Sequence, residues 1–344
     1  MKIALTSKKF LPLLGGSVIF ATMLASAFQR AGHEVKVMTR TAGEGDEALD
    51  FEVIRNPDKL RHRELAIWAD VLLQVESSWK DAMPFLLRGK PWFPTLHRGR
   101  SRWIGEGIKS FLLLGLESAA FRLGNTIAVS RFALQSWGLK GSVIPNPYDQ
   151  HLFHPPVTGA GRDVDVLFVG RITRDKGVFI LVDAIARLRA GSMSTPSLKI
   201  VFVGSGYSED ELKAEVKVKL PGMLVDFAGK QTPAEVAGWM RRARILAFPT
   251  TPDWLEASPL TPLEAAACGC RVVASDVGGT SENIPPGHLT TTAGSVESLS
   301  DALLESLTAR GEFPDGPTLD FLSNRSTDAA AVAYLKLFST RVRR

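Results

Sequence analysis

Short apolar runs alternate with longer stretches of mixed hydrophobic and polar residues along the whole chain. Lys2-Ile3-Ala4-Leu5 reads as a first strand, followed by a loop ending in Gly15-Gly16 and a helix-length stretch from Ser17 to Arg30. Ala31-Gly32-His33-Glu34 stops that helix, and Val35-Lys36-Val37-Met38 reads as a second strand. Strand, glycine loop, helix, glycine stop and strand form a parallel βαβ unit. The same alternation predicts further strands at 51–54, 71–75, 92–96, 126–129 and 142–144. A second set is predicted at 164–169, 198–203, 224–227, 244–248 and 271–274. Each set suffices for a doubly wound parallel sheet, so the pattern predicts an α/β protein with two sheets. Between them lie Pro145-Asn146-Pro147, His154-Pro155-Pro156 and Gly159-Ala160-Gly161-Arg162, the composition of a connector. We therefore expect a first domain over 1–155 and a second over 156–325. A C-terminal segment, 326–344, contains a helix near 327–338 that is expected to pack back towards the first domain.

Composition sharpens this only in places. A length of 344 residues suits two cores, and 45% hydrophobic with 22% charged residues is the balance of a globular chain. The net charge of +5 is uneven: residues 1–150 carry a surplus of +6 and the remainder −1. Such a basic face suits an anionic acceptor, anionic lipid or nucleic acid, and no nucleic-acid motif accompanies it. Phe10 to Gln29, ending in Ala25-Ser26-Ala27, imitates a signal peptide after Lys8-Lys9. Pro12 and Gly15-Gly16 interrupt its apolar run, and the βαβ reading accounts for it better. No other uncharged run approaches the roughly 20 residues that span a bilayer. Cys268 and Cys270, one residue apart, are read as buried thiols.

The chemistry concentrates after strand-like runs in the second half. Val166-Leu167-Phe168-Val169-Gly170-Arg171 is a buried strand ending in glycine and a cation, and Asp175-Lys176-Gly177 precedes the next helix. Open parallel sheets bind ligands beyond the carboxyl ends of their strands, so Arg171 and Lys176 can neutralise a diphosphate there. Taken alone, both could be ordinary surface charges. Phe202-Val203-Gly204-Ser205-Gly206 and Phe227-Ala228-Gly229-Lys230 repeat the strand–glycine theme. The densest pattern is Glu256-Ala257-Ser258-Pro259-Leu260-Thr261-Pro262-Leu263-Glu264, followed by Ala265-Ala266-Ala267-Cys268-Gly269. A helix starting near Leu260 offers free N–H groups to phosphate oxygens, and Glu264 can reach a ribose diol.

These residues resemble the retaining GT-B glycosyltransferases of glycosyltransferase family 4, also called glycosyl transferases group 1. The likeness is strong over 166–282 and includes Val272-Val273-Ala274-Ser275 running to Gly278-Gly279 and Glu282. It implies two Rossmann-like domains facing a cleft and a nucleotide diphosphate sugar as donor. It implies that Arg171 and Lys176 hold the diphosphate and that Glu264 binds the ribose. Glu256 would bond the donor sugar, and backbone groups around Ser258, Leu260 and Thr261 would bind phosphate or sugar. Gly204 and Lys230 are placed on the nucleotide side. Gly15 and Gly16 match the first-domain glycine loop, and His97 matches the family histidine beside the donor sugar. Two departures concern the acceptor side: Arg98 stands where an acid commonly follows the histidine, and Asn146-Pro147 replaces Asn-Gly.

The resemblance implies sugar transfer with retention to a saccharide or lipid-linked acceptor, as in lipopolysaccharide or exopolysaccharide synthesis. Fixed cations and a helix terminus would stabilise the leaving group, and no metal or other cofactor is expected. The chain would work in the cytoplasm, with an anionic membrane surface as a further partner of its basic half. Rival readings are an inverting GT-B transferase, a sugar-nucleotide epimerase, or a non-catalytic nucleotide-sugar-binding protein. A dinucleotide oxidoreductase is disfavoured because Thr6–Ser17 lacks G-x-G-x-x-G.

Overall fold

The computed structural model describes residues 1–13, 15–44, 46–99, 108–156, 161–191, 198–309 and 314–342, with only the backbone described over 108–114. It divides into two compact units, Met1–Pro147 with Arg325–Arg344, and Tyr148–Asn324. The division falls at Pro147 rather than at 155, because Tyr148 and Phe153 are buried in the core of the second unit.

Unit 1 holds β1 (Lys2–Ser7), β2 (Glu34–Thr39), β3 (Glu52–Arg55), β4 (Val71–Gln74), β5 (Trp92–Leu96), β6 (Ile127–Ala128) and β7 (Ser142–Val143). Its helices are α1 (Gly16–Arg30), α2 (Lys59–Trp68), α3 (Trp79–Leu86), α4 (Ile108–Leu123) and α5 (Arg131–Trp137). The strands are parallel in the order β3-β2-β1-β4-β5-β6-β7. Alternation along β1 feeds both faces: Ile3 and Leu5 join one core, while Ala4 joins the core on the opposite side.

Unit 2 contains β8 (Val164–Val169), β9 (Lys199–Val203), β10 (Leu224–Gly229), β11 (Ala243–Phe248), β12 (Arg271–Ser275) and β13 (Leu289–Thr291). Its helices are α6 (Val178–Ala190), α7 (Glu209–Lys219), α8 (Pro233–Arg242), α9 (Leu260–Ala267), α10 (Val296–Thr308) and α11 (Gly316–Ser323). The order β10-β9-β8-β11-β12-β13 is again doubly wound and parallel, with the switch between β8 and β11. The periodicity did not predict β13, since Leu-Thr-Thr is three residues long and largely polar.

The chain then returns to unit 1 as α12 (Thr327–Val342), which packs on α1. Tyr334 and Phe338 are fully buried, and Phe338 lies 4.6 Å from Phe93 and 5.8 Å from Phe28 between ring centroids. Of the signal-like stretch, residues 10–13 belong to the loop after β1 and 16–29 to α1, whose Phe20, Leu24 and Phe28 sit in the unit 1 core.

Candidate functional site

In unit 2 the carboxyl ends of β8 and β11 stand side by side, and the loops leaving them carry the predicted cations and acids. After β8 the chain passes Arg171 and makes a tight turn at Arg174–Lys176 before α6. That turn is tied across the switch point: the Thr251 N–H and hydroxyl both donate to the Asp175 carbonyl, at 2.9 and 3.2 Å. Lys176 Nζ thereby meets Glu256 Oε1 in a part-buried ion pair and hydrogen bond. Arg171 is exposed and pairs with Asp175 at 3.3 Å. Both cations lie over Trp254, whose ring centroid is 5.0 Å from Arg171 Cζ and 5.2 Å from Lys176 Nζ.

Glu256 owes its position to the loop after β12. The Gly279 N–H donates to the Glu256 carbonyl at 2.7 Å. Gly278, at φ +62°, packs so closely that a Cβ there would lie 2.2 Å from the same oxygen. Four residues on, α9 begins without a side-chain cap, its N-cap being Pro259. The first N–H groups, at Leu260 and Thr261, are therefore left for a ligand. Asn283, itself buried, holds this start in place by donating to Ser258 Oγ at 3.0 Å and the Pro259 carbonyl at 2.9 Å.

Glu264 sits one turn into α9, partly exposed to solvent. Burial of its carboxyl, with the charge of Asp149 as a smaller cause, pushes its pKa up to about 7. Lys230 is exposed at the end of edge strand β10 and is not brought onto the Arg171–Lys176 cluster by any contact. Gly204 has a reason within the fold. At φ +133° a Cβ would lie 1.8 Å from the Gly170 carbonyl, and the Gly204 N–H donates to Gly229.

Unit 1 carries Gly15, Gly16 and His97. Gly15 and Gly16 are exposed at the start of α1, and a Cβ on either would meet nothing within 4 Å, so internal packing does not demand glycine there. His97 lies at the end of β5 in a pocket of about 340 Å³, lined also by Lys8, Lys9, Glu76, Arg98 and Glu117. Its ring stacks edge-on to Phe20 at 4.5 Å, and burial lowers its pKa to about 4. The Thr95 hydroxyl lies 2.8 Å from Nε2 and also reaches the Gln74 and Val75 carbonyls, at 2.9 and 3.1 Å. Arg98, in place of the family acid, pairs with Glu117 at 2.5 Å. Arg100 and Arg102, of the same basic stretch, lie outside the described residues.

Sequence reasoning passed over Trp254 and Asn283. A Trp two residues before Glu256 was a usable signal, whereas Asn283 had none, because its partners lie some 25 positions away. The sequence reading that the chain has no Asp-x-Asp motif is corrected by Asp163-Val164-Asp165, which has that spacing. Those carboxylates lie at the amino end of β8, the end opposite to the cations. Asp165 pairs with Arg244, and Asp163 with Arg242 and Lys199, whose hydrogen bonds and charges, Arg242's first, hold it well below the usual carboxylate range.

The geometry can be set beside known proteins. Residues 163–309 match the family model described as Glycosyl transferases group 1. Over 330 residues the chain is 26% identical to a D-inositol 3-phosphate glycosyltransferase of Arthrobacter sp. (strain FB24), covering 80% of this chain and 77% of that protein. The enzyme of that name from Jonesia denitrificans is 31% identical over 156 residues, 41% of this chain and only 36% of the relative's length. The crystal structure of Anabaena Alr3699/HepE in complex with UDP superposes with a TM-score of 0.79 at 19% identity, covering 99% of this chain and 100% of that one. The fold is thus GT-B, two parallel-sheet Rossmann-like domains of seven and six strands. The chain is a glycosyltransferase of GT-B type, its residues 163–309 belonging to glycosyl transferases group 1.

Proposed function

We propose that this chain moves a hexosyl group from a UDP- or GDP-sugar to a hydroxyl of a saccharide or glycolipid acceptor, with retention and without a metal. The carrying observation is the cluster at the switch point of unit 2: Arg171 and Lys176 beside Trp254, Lys176 bonded to Glu256, and the uncapped start of α9 nearby. Cleavage of the bond between the anomeric carbon and the phosphate oxygen leaves negative charge on the diphosphate. Arg171, Lys176 and the Leu260 and Thr261 N–H groups would stabilise that charge, each well-placed donor being worth on the order of a hundredfold in rate. The acceptor oxygen bonds to the anomeric carbon on the face the phosphate leaves, and its proton passes to the departing phosphate oxygen. No separate general base is needed. Glu264 accepts from the ribose hydroxyls, and Glu256 from donor-sugar hydroxyls once Lys176 has turned to phosphate. His97, neutral, acts by hydrogen bonding and shape, while Gly15 and Gly16 leave room for a close backbone approach.

The +6 surplus of residues 1–150 supports an anionic acceptor, as do Lys8, Lys9 and Arg98 around the His97 pocket. A relative named for inositol 3-phosphate, a phosphorylated polyol, points the same way. We assign this chain to the cytoplasmic face of the membrane, acting on a lipopolysaccharide or exopolysaccharide intermediate. Among the described residues no helix is long and apolar enough to cross a membrane, so contact there would be peripheral and electrostatic.

The test is a transfer assay on UDP- and GDP-sugars with the product anomer read by proton NMR. Arg171→Ala and Lys176→Ala are expected to lower kcat by about a hundredfold or more with unchanged melting. The product should keep the donor's configuration, and EDTA should leave the rate intact. Full activity in both variants would sink the leaving-group role. An inverted product or loss in EDTA restored by a divalent ion would sink retention or metal independence.

A further inference from the structure

Trp254 is 44% exposed, so core packing does not explain a tryptophan at this position. Its place is nevertheless well defined. The Trp254 N–H donates to the Thr251 carbonyl at 3.2 Å, and Thr251 donates to Asp175, one residue before Lys176. The turn that carries the indole is therefore fastened to the turn that carries the lysine. Arg171 and Lys176 come within 5.0 and 5.2 Å of the ring centroid, although each also has a carboxylate partner. Two like charges gathered on one ring repel each other. An aromatic ring presents a negative face that offsets the repulsion and restricts where each head group can lie.

We infer that Trp254 is the positioning residue of the diphosphate site, a shared aromatic platform that confines the head groups of Arg171 and Lys176 where a diphosphate would meet both. This deepens the donor reading above and rests on it. In the free protein the cations are already confined, so the diphosphate does not have to order two long side chains as it binds. The ring acts through the cations rather than on the nucleotide itself. Trp254→Leu keeps apolar bulk and removes the π face, whereas Trp254→Phe keeps a smaller face.

Calorimetry of UDP, GDP and inorganic pyrophosphate on the full chain tests this. Cation–π contacts correspond to a few-fold up to about thirtyfold in an equilibrium constant. Trp254→Leu should weaken binding of these diphosphates roughly tenfold, while Trp254→Phe stays within about threefold of wild type. In the double variant with Arg171→Ala the two losses should fail to multiply, since the ring has lost one of the groups it positions. Donor KM should rise by more than kcat falls. Should the leucine variant melt lower than wild type, Trp254→Gln repeats the measurement. Wild-type affinity in Trp254→Leu, or losses that multiply in the double variant, would overturn the platform. A wild-type protein that binds pyrophosphate but neither nucleotide refutes the donor reading alone, provided the leucine-to-phenylalanine contrast survives. Failure to bind all three refutes both.

Discussion

The Glu264 carboxyl has no hydrogen-bond partner among the described residues, and its pKa is pushed up from 4.5 to about 7, first by burial and then by Asp149. A carboxyl with a raised folded-state pKa binds its proton more tightly in the folded chain. Its contribution to stability is complete below about pH 4.5 and is lost as the pH rises through about 7. The ligand-free protein is therefore expected to lose stability over that window. Glu264→Gln should flatten the loss and stabilise the protein at pH 8 by about 1–2 kcal/mol, allowing for the group's partial exposure. Ribose hydroxyls donate to the ionised form, so nucleotide affinity should fall below about pH 7 in the wild type and become nearly pH-independent in Glu264→Gln. Denaturant melts and calorimetry from pH 5.5 to 8.5 would show both. His97, with its pKa near 4, should add no titration to that range. The spacing of Glu256 and Glu264 was legible in the sequence. The proton affinity of Glu264 was not, since it depends on the packing around α9 and on Asp149, which is remote along the chain.

The loops that follow strands carry the site, but other loops hold them in place. Gly278 shows this most sharply, because a Cβ would lie 2.2 Å from the Glu256 carbonyl and the backbone is at φ +62°. Gly278→Ala should push the Glu256 loop away from Lys176, costing about 1–3 kcal/mol in stability. Transfer should fall by at least tenfold, while nucleoside diphosphate binding falls by much less. Equilibrium unfolding alongside kcat and Kd would separate these effects, and equal losses in kcat and nucleotide affinity would mean the site had collapsed more widely. At this scale the sequence predicted nearly every strand, because parallel strands buried on both faces are continuous apolar runs such as Val166–Val169. It missed β13, whose pairing with β12 is supplied by the partner strand rather than by its own residues.

Over the whole molecule, chain order and structural unit do not coincide. Unit 2 is one continuous stretch, whereas unit 1 is completed only by the last residues, with Tyr334 and Phe338 fully buried in its core. Each such aromatic contributes on the order of 1.5–3 kcal/mol by burial. Truncation after Asn324 should therefore destabilise unit 1, seen as a lost or lowered transition in calorimetry. Residues 148–324 alone should fold and still bind nucleoside diphosphate; failure of that fragment to fold would contradict the division. The sequence by itself determined the two alternating α/β halves, the connector near Pro145-Asn146-Pro147, and which cations and acids to propose for a donor site. All of these are written in local periodicity and short-range spacing. Tertiary structure alone decided that Tyr148 and Phe153 belong to the second core and that Arg171 and Lys176 both lie over Trp254. It also decided that Glu256 is paired with Lys176, that the Asp163–Asp165 triplet lies at the wrong end of its strand, and that burial raises the pKa of Glu264. Each of these depends on which segments meet in space and how much water they exclude, and neither is encoded in spacing along the chain.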